Sequence, residues 1–202
     1  MRDTPRKRPR QQRSRDTVDA LLEAAAQVFE REGAEATTNR IAERAGFSIG
    51  TLYQYFPHKQ AMLRALAERH IAEGHARLAA LSARLAEEKP DWPGTARAFA
   101  TEFVGLHTER PDLHAVLYEL TPRSPEGVAA LRGLHDAALA EVATQLRRTG
   151  VEEGAGALRT AALLVHTADA TLHRVLLGEQ DATESLTRSL LALRPAPATP
   201  NR

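Results

Sequence analysis

Apolar residues recur three and four positions apart almost throughout this chain, and no stretch of strict alternation interrupts them. That spacing loads one side of an α-helix and cannot load one face of a strand, so the sequence predicts an all-α fold. The clearest stripe is Val18, Leu21, Leu22, Ala25, Val28 and Phe29, within a helix expected from Asp16 to Glu32. Gly33 ends it, because glycine takes the left-handed conformation of a helix C-cap at little steric cost. A short helix is expected from Thr38, as its N-cap, to Ala45, with Gly46 as its stop. A third runs from the cap Ser48 to Phe56, where Pro57 forbids smooth continuation. A fourth, from Lys59 to Glu88, carries Leu63, Leu66, Ile71, Leu78, Leu81 and Leu85. The stretch EEKPDWPG marks a change of layer. Beyond it, helices are expected over 93–110, 112–120, 126–149, 155–178 and 183–193, separated by ERPD, TPRSPEG, TGVEEGAG and LGEQDAT.

Composition narrows the function classes. With 202 residues and 43% hydrophobic content the chain can bury a real core, as one domain or two small ones. Cysteine is absent, which excludes a disulfide framework, a thiolate metal site and a cysteine nucleophile. MRDTPRKRPRQQRSR has no apolar stretch behind its charges, and no window approaches the length of a membrane span, so a soluble, unexported, cytoplasmic protein without membrane contact is expected. The net charge of +1 is unevenly spread: residues 1–60 hold eleven Lys/Arg against eight Asp/Glu, and residues 1–15 hold seven against one. Such an arm is either a solvated tail or, beside a DNA-reading motif, a set of phosphate contacts. The proline-rich end, RPAPATPNR, is expected to be disordered, as is the arm over 1–13.

The run AERAGFSIGTLYQYFPHKQAML is not a core sequence. On a helical wheel through 49–56, Leu52 and Phe56 point inward and Tyr53 lies on the border, while Gly50, Thr51, Gln54 and Tyr55 point away. That outward set is small, hydroxylic, amide-bearing and phenolic, which suits a helix entering a major groove about 12 Å wide. Two short helices about a glycine turn form either a helix-turn-helix or a plain helical corner, and spacing alone leaves both open.

TTNRIAERAGFSIGTLYQYFPHKQAML resembles the DNA-binding domain of the TetR family of transcriptional regulators. Thr37 or Thr38, Ile41, Ala42, Ala45, Gly46, Ser48, Gly50, Leu52, Tyr53, Tyr55, Phe56 and Lys59 match that family's pattern; Phe47 departs from it, standing where a smaller aliphatic residue is usual. The resemblance covers about residues 14–70. It implies a DNA-binding domain over 14–74, with its helix-turn-helix at 37–56, joined by the long fourth helix to a regulatory, ligand-binding and dimerisation domain over 75–193. It also implies that Thr38, Ser48, Thr51, Tyr53, Tyr55 and Lys59 hold phosphates while Asn39, Gly50 and Gln54 approach bases. The chemistry agrees: amides can bond adenine N6 and N7 together, whereas hydroxyls and a lysine set register on the backbone.

The partners so implied are a near-palindromic double-stranded operator, a second copy of the chain and a small-molecule effector, with no catalytic residue and no cofactor. The expected dimer helices, 126–149 and 155–178, contain Ala129, Ala130, Ala137, Ala138, Ala161 and Ala162, small enough for close approach. Trp92, Phe99, Phe103, His107, His114 and Tyr118 are the candidate ligand contacts; core packing would select the same aromatics. His166, Asp169 and His173 have the spacing of one helical face and the donor chemistry of a zinc site, but no fourth ligand is identifiable, so no metal is expected. The sequence reading is thus a ligand-responsive repressor; the alternatives are a helical-bundle enzyme or a protein-binding adaptor with a vestigial helix-turn-helix. Against the enzyme, the chain lacks an E-x-x-H pair and a phosphate-cradling glycine loop.

Overall fold

A computed structural model describes residues 10–121 and 124–193. The basic arm up to Pro9 and the tail over 194–202 lie outside the described residues. The described chain is helical: α1 (Arg10–Glu32), α2 (Thr38–Ala45), α3 (Ile49–Tyr55), α4 (Lys59–Glu88), α5 (Trp92–Thr108), α6 (Pro111–Leu120), α7 (Pro125–Arg148), α8 (Gly156–Thr171) and α9 (Ala182–Ala192). A 3-10 turn, Gly33–Glu35, follows α1, and a π turn, Leu172–Leu176, extends α8. No described residue is in a strand. No helix among the described residues is long and apolar enough to cross a membrane.

Two compact units divide the chain. The first takes the described residues up to Arg69 and those from Asp112 to Thr121; the second takes His70–Pro111 and the chain from Ser124 onward. The boundary therefore falls inside α4, and most of α6 groups with the N-terminal residues.

In the first unit, the α1 stripe of Leu21, Leu22, Ala25, Val28 and Phe29 is buried with Ile41 and Ala42 of α2, Leu52 of α3, Phe56, and Met62, Leu63 and Leu66 of α4; Leu113 and Leu117 of α6 complete the cluster. Helix α1 starts at Arg10, six residues before the expected start. The added residues are polar and carry no apolar signal, but Gln12 donates from Nε2 to Asp16 Oδ1 at 3.0 Å and Thr17 Oγ1 donates to the Arg13 carbonyl at 2.8 Å. Residues 10–13 are thus helical rather than part of a disordered arm.

In the second unit, Trp92, Ala96, Ala100 and Val104 form a row four apart along α5, matched by Ala182, Leu186 and Leu190 along α9 and by Ala157 and Ala161 on α8. Rows at that spacing interdigitate in the commonest helix-packing class, and the alanines bring the axes close. The α4–α7 crossing is close as well: a Cβ on Gly74 would stand 2.8 Å from Leu134 Cδ2 and 3.3 Å from Leu106 Cδ2. The loop before α5 is pinned by Arg148, whose Nη2 donates to the Pro90 carbonyl at 2.6 Å and to Thr95 Oγ1 at 3.1 Å.

Candidate nucleic-acid interface

The α2–α3 corner is built from local chemistry. Thr37, one residue before the expected cap, is the N-cap of α2, its hydroxyl accepting from the Arg40 amide at 3.3 Å. Thr38 is released from capping and lies 3.1 Å from the Tyr53 hydroxyl. Gly46 closes α2 at φ 72°, a left-handed conformation that side chains rarely adopt, and its amide bonds back to the Ala42 and Glu43 carbonyls. Ser48 then caps α3 by accepting from the Thr51 amide at 3.0 Å, with the two hydroxyl oxygens 2.9 Å apart. Two-point fixation of this kind sets the direction of a helix only seven residues long.

The outward face of α3 differs in one respect from the wheel. Leu52 and Phe56 are buried, as the wheel has them, but Tyr53 is the outward tyrosine, 49% exposed, while Tyr55 is half-buried against the core. The wheel places side chains by the helix alone; here the Thr38 hydroxyl, from α2, meets Tyr53 instead. Gly50 and Gln54 are exposed, as are Asn39 on α2 and Ile49, and no hydrogen bond to a described residue engages the Asn39 or Gln54 amide.

Gly50 has no internal reason to be glycine. A Cβ there would meet only Ser48 Oγ, at 3.7 Å, an ordinary contact. Substituting Gly50→Ala should therefore leave the fold intact or stabilise it by about 0.5–1 kcal/mol. If DNA approaches the α3 backbone closely, the same methyl group should cost operator affinity by about tenfold. Thermal melts beside gel shifts check both halves, and unchanged affinity would show that DNA stays clear of this position.

Lys59 is placed differently from a free clamp. Its Nζ donates to the carbonyls of Ala34, at 2.7 Å, and Ala36, at 3.1 Å, tying the start of α4 to the turn between α1 and α2. An ammonium has three donors, so one remains for a phosphate. Among the other basic side chains of the corner, Arg40 pairs with Glu32 at 3.1 Å and Arg44 Nε donates to Gln27 Oε1 at 2.7 Å.

The candidate ligand contacts separate. Trp92 is buried in the second unit's core, with Phe99 and Phe103 packed against that core. Among the described residues Trp92 Nε1 has no hydrogen-bond partner. His107 is buried beside Phe103, with ring centroids 4.6 Å apart. His114 and Tyr118, on α6, belong to the first unit, one buried and the other exposed. A groove of about 320 Å3 between α4 and α7, lined by His75, Leu78, Ser82, Ala137, Glu141 and Thr144 among others, includes none of the six.

Sequence reasoning missed a cluster of imidazoles. The ring of His107 meets His70 of α4 at 5.4 Å and His173 of the π turn at 4.9 Å. Burial, helped by the neighbouring imidazoles and Arg77, pushes the pKa of His107 down to about 3, against the opposing effect of its hydrogen bond to Phe103, and burial likewise lowers that of His70. Within the trio His166, Asp169 and His173, the Asp169 carboxylate lies 3.3 Å from Nδ1 of His173, which sits in the π turn that begins at Leu172. His166 instead faces His135 of α7, ring centroids 5.9 Å apart. The signal was the count of eight histidines; which of them meet depends on packing between distant helices.

Comparison with known proteins agrees with this architecture. Residues 21–66 match the family model described as bacterial regulatory proteins, tetR family, and residues 91–194 match that of the Tetracyclin repressor-like C-terminal domain. The chain belongs to the TetR family. As a TetR-family member it is a DNA-binding transcriptional regulator and not an enzyme. An uncharacterized HTH-type transcriptional regulator of Bacillus subtilis, YfiR, is 44% identical over 55 residues, which are 27% of this chain and 27% of that protein. The chain thus spans about a quarter of the curated relative it matches. Among solved structures, a TetR-family regulator from Streptomyces coelicolor superimposes with a TM-score of 0.69 at 19% identity, over 89% of this chain and 79% of that one. One from Mesorhizobium loti gives 0.68 at 18%, over 90% and 94%. The multidrug binding protein EbrR, complexed with imidazole, gives 0.64 at 21%, over 91% and 98%. At such identities the likeness is one of fold: a helix-turn-helix domain followed by a C-terminal helical domain.

Proposed function

We propose that the protein is a homodimeric repressor that grips a near-palindromic operator and is released from it by an effector bound in its C-terminal region. Residues 14–74 would read DNA in the cytoplasm and 75–193 would sense and pair. The observation that carries this is the outward face of α3, where the exposed Gln54 amide and the bare Gly50 backbone stand between hydroxyl groups suited to phosphate. Thr38, Ser48, Thr51, Tyr53 and the third donor of Lys59 would set register; Asn39 and Gln54 would meet base edges. Tyr55, half-buried, would contribute through its edge.

Pairing is supported by the surface of the second unit, where Val128 and Leu131 of α7 and Leu158 and Leu163 of α8 are exposed. A near-palindromic operator with half-sites one duplex turn apart needs two recognition helices about 34–36 Å apart, which a two-fold pair of chains would supply. The effector need only bind one state of the dimer better than the other to shift operator occupancy. Phe99, Phe103 and His107 are the contacts best placed for it within one unit. Gel shift with DNA from upstream of the gene is the test: no retarded species at low salt, with a folded dimer present, would remove the DNA-reading assignment. In the same assay Gln54→Ala should weaken operator binding by about 1–3 kcal/mol and relax base preference in each half-site. A randomised-site selection with unaltered preference would take Gln54 out of the reading set.

A further inference from the structure

Among the described residues of the first unit, the large hydrophobic side chains left exposed are Ile49, Tyr53 and Tyr118. A scattered apolar residue on a surface needs no explanation. Ile49 and Tyr53, however, stand one turn apart on α3, beside the exposed Gly50 and Gln54. Ile49 is the aliphatic one of the three. It is 36% exposed and lies outside the core cluster that Phe47, two residues earlier, packs against.

The observed face of α3 is turned from the one that a wheel assigns. Leu52 is fully buried and Thr51 and Tyr55 are half-buried, so the exposed arc consists of Ile49, Tyr53, Gly50 and Gln54. At about 100° per residue these four cover about 140° of the helix, with Ile49 at one edge and Gln54 at the other. Ile49 is also the first residue after the Ser48 cap. The N-terminal residues of a recognition helix are those that meet base edges. Its direction is held by the Ser48 hydroxyl on the Thr51 amide at 3.0 Å and by the Thr38–Tyr53 hydroxyl pair at 3.1 Å.

We propose that Ile49 reads the 5-methyl group of a thymine in each operator half-site; the contact deepens the assignment of α3 as the DNA-reading helix and rests on it. The major-groove edges of the base pairs present donors, acceptors and one apolar group, the thymine methyl. Isoleucine has no hydrogen bond to offer, so against a polar edge it would strip water and return nothing. Against the methyl, both surfaces leave water together. Cytosine carries only a hydrogen at that carbon, with an amino donor beside it that Ile49 would leave without a partner. Gly50 makes the approach possible, since the strip between Ile49 and Gln54 carries no side chain there to hold the bases off. The branched side chain is also stiff about χ1, so it loses little freedom on contact.

The test uses the full-length protein and a site it selects from randomised duplexes. Each thymidine of that site is replaced in turn by deoxyuridine, which removes the methyl group and keeps every hydrogen-bonding group. In gel shifts with the wild type, one position per half-site should lower affinity about fourfold, the factor for burying a single methyl group. Ile49→Ala should bind the thymine site about four- to tenfold more weakly and no longer distinguish thymine from uracil at that position. A thermal melt checks its fold, and the scan on the wild type needs no variant. A flat scan on a site that the wild type binds, or a uracil penalty that Ile49→Ala keeps in full, would overturn the contact and leave the DNA-reading assignment standing. Equal losses for Ile49→Ala on the selected site and on random duplex would move Ile49 to the DNA backbone and sink the proposal in the same way. A chain that selects no site at all would overturn the DNA-reading assignment and this contact with it.

Discussion

Leu163→Arg should yield a folded monomer whose operator affinity is lower by about 100- to 10,000-fold, the range lost when two linked binding events become independent. Leu163 is 64% exposed on α8, so the arginine meets water in the isolated chain and has no core to disrupt. In a dimer formed through α7 and α8 it would bury a charge without a partner, at a cost that removes the interface. Ala162→Arg, at the adjoining half-buried position, should act in the same direction with some loss of monomer stability. Sedimentation at micromolar concentration with parallel gel shifts decides the matter: a Leu163→Arg protein that still sediments as a dimer would move the pairing surface elsewhere.

The second large effect is acid destabilisation through His107. Its folded pKa of about 3 lies below the ordinary value of 6.5, so the unfolded chain takes up a proton that the folded chain refuses. Above pH 6.5 both states are neutral and stability is at its full value. It should fall by about 1.4 kcal/mol per pH unit below 6.5, reaching a loss of about 2 kcal/mol at pH 5, and level off near pH 3. His70 of α4, also lowered by burial, acts in the same direction, and Arg77 opposes protonation of both. Urea unfolding at pH 7 and pH 5 gives the comparison. His107→Leu should flatten the dependence to the part contributed by His70; an equally steep dependence in wild type and variant would show that the proton goes elsewhere.

Much of this architecture was legible because its punctuation is chemical. Gly33, Gly46, Pro57 and Pro90 end or delimit helices by backbone restriction and Asp91 begins one by capping it, so α4 runs between the expected limits and α2 stops where Gly46 requires. What escaped depends on contacts distant in sequence. The start of α1 at Arg10 rests on polar side-chain bonds that have no apolar period. The exchange of roles between Tyr53 and Tyr55 follows from the position of α2, which a wheel through α3 does not contain. The grouping of Leu113 and Leu117 with the N-terminal core, and the meeting of His70, His107 and His173, join positions tens of residues apart. The π turn at Leu172 has no composition that distinguishes it from the helix it extends.

The hydroxyl pair of Thr38 and Tyr53 bears on the heat of operator recognition. Both groups were assigned to phosphates, yet before any duplex arrives they already satisfy one another across 3.1 Å. One proton joins the pair, so the hydroxyl that donates it would exchange one hydrogen bond for another on meeting a phosphate, and calorimetry should assign that side chain little net enthalpy, while the accepting hydroxyl keeps its own proton to donate. The favourable term at this corner would instead be entropic, from cations shed by the duplex, and would shrink as salt is added. A pair that is already joined also arrives aligned, so little rotational freedom remains to be lost when the groove closes on it.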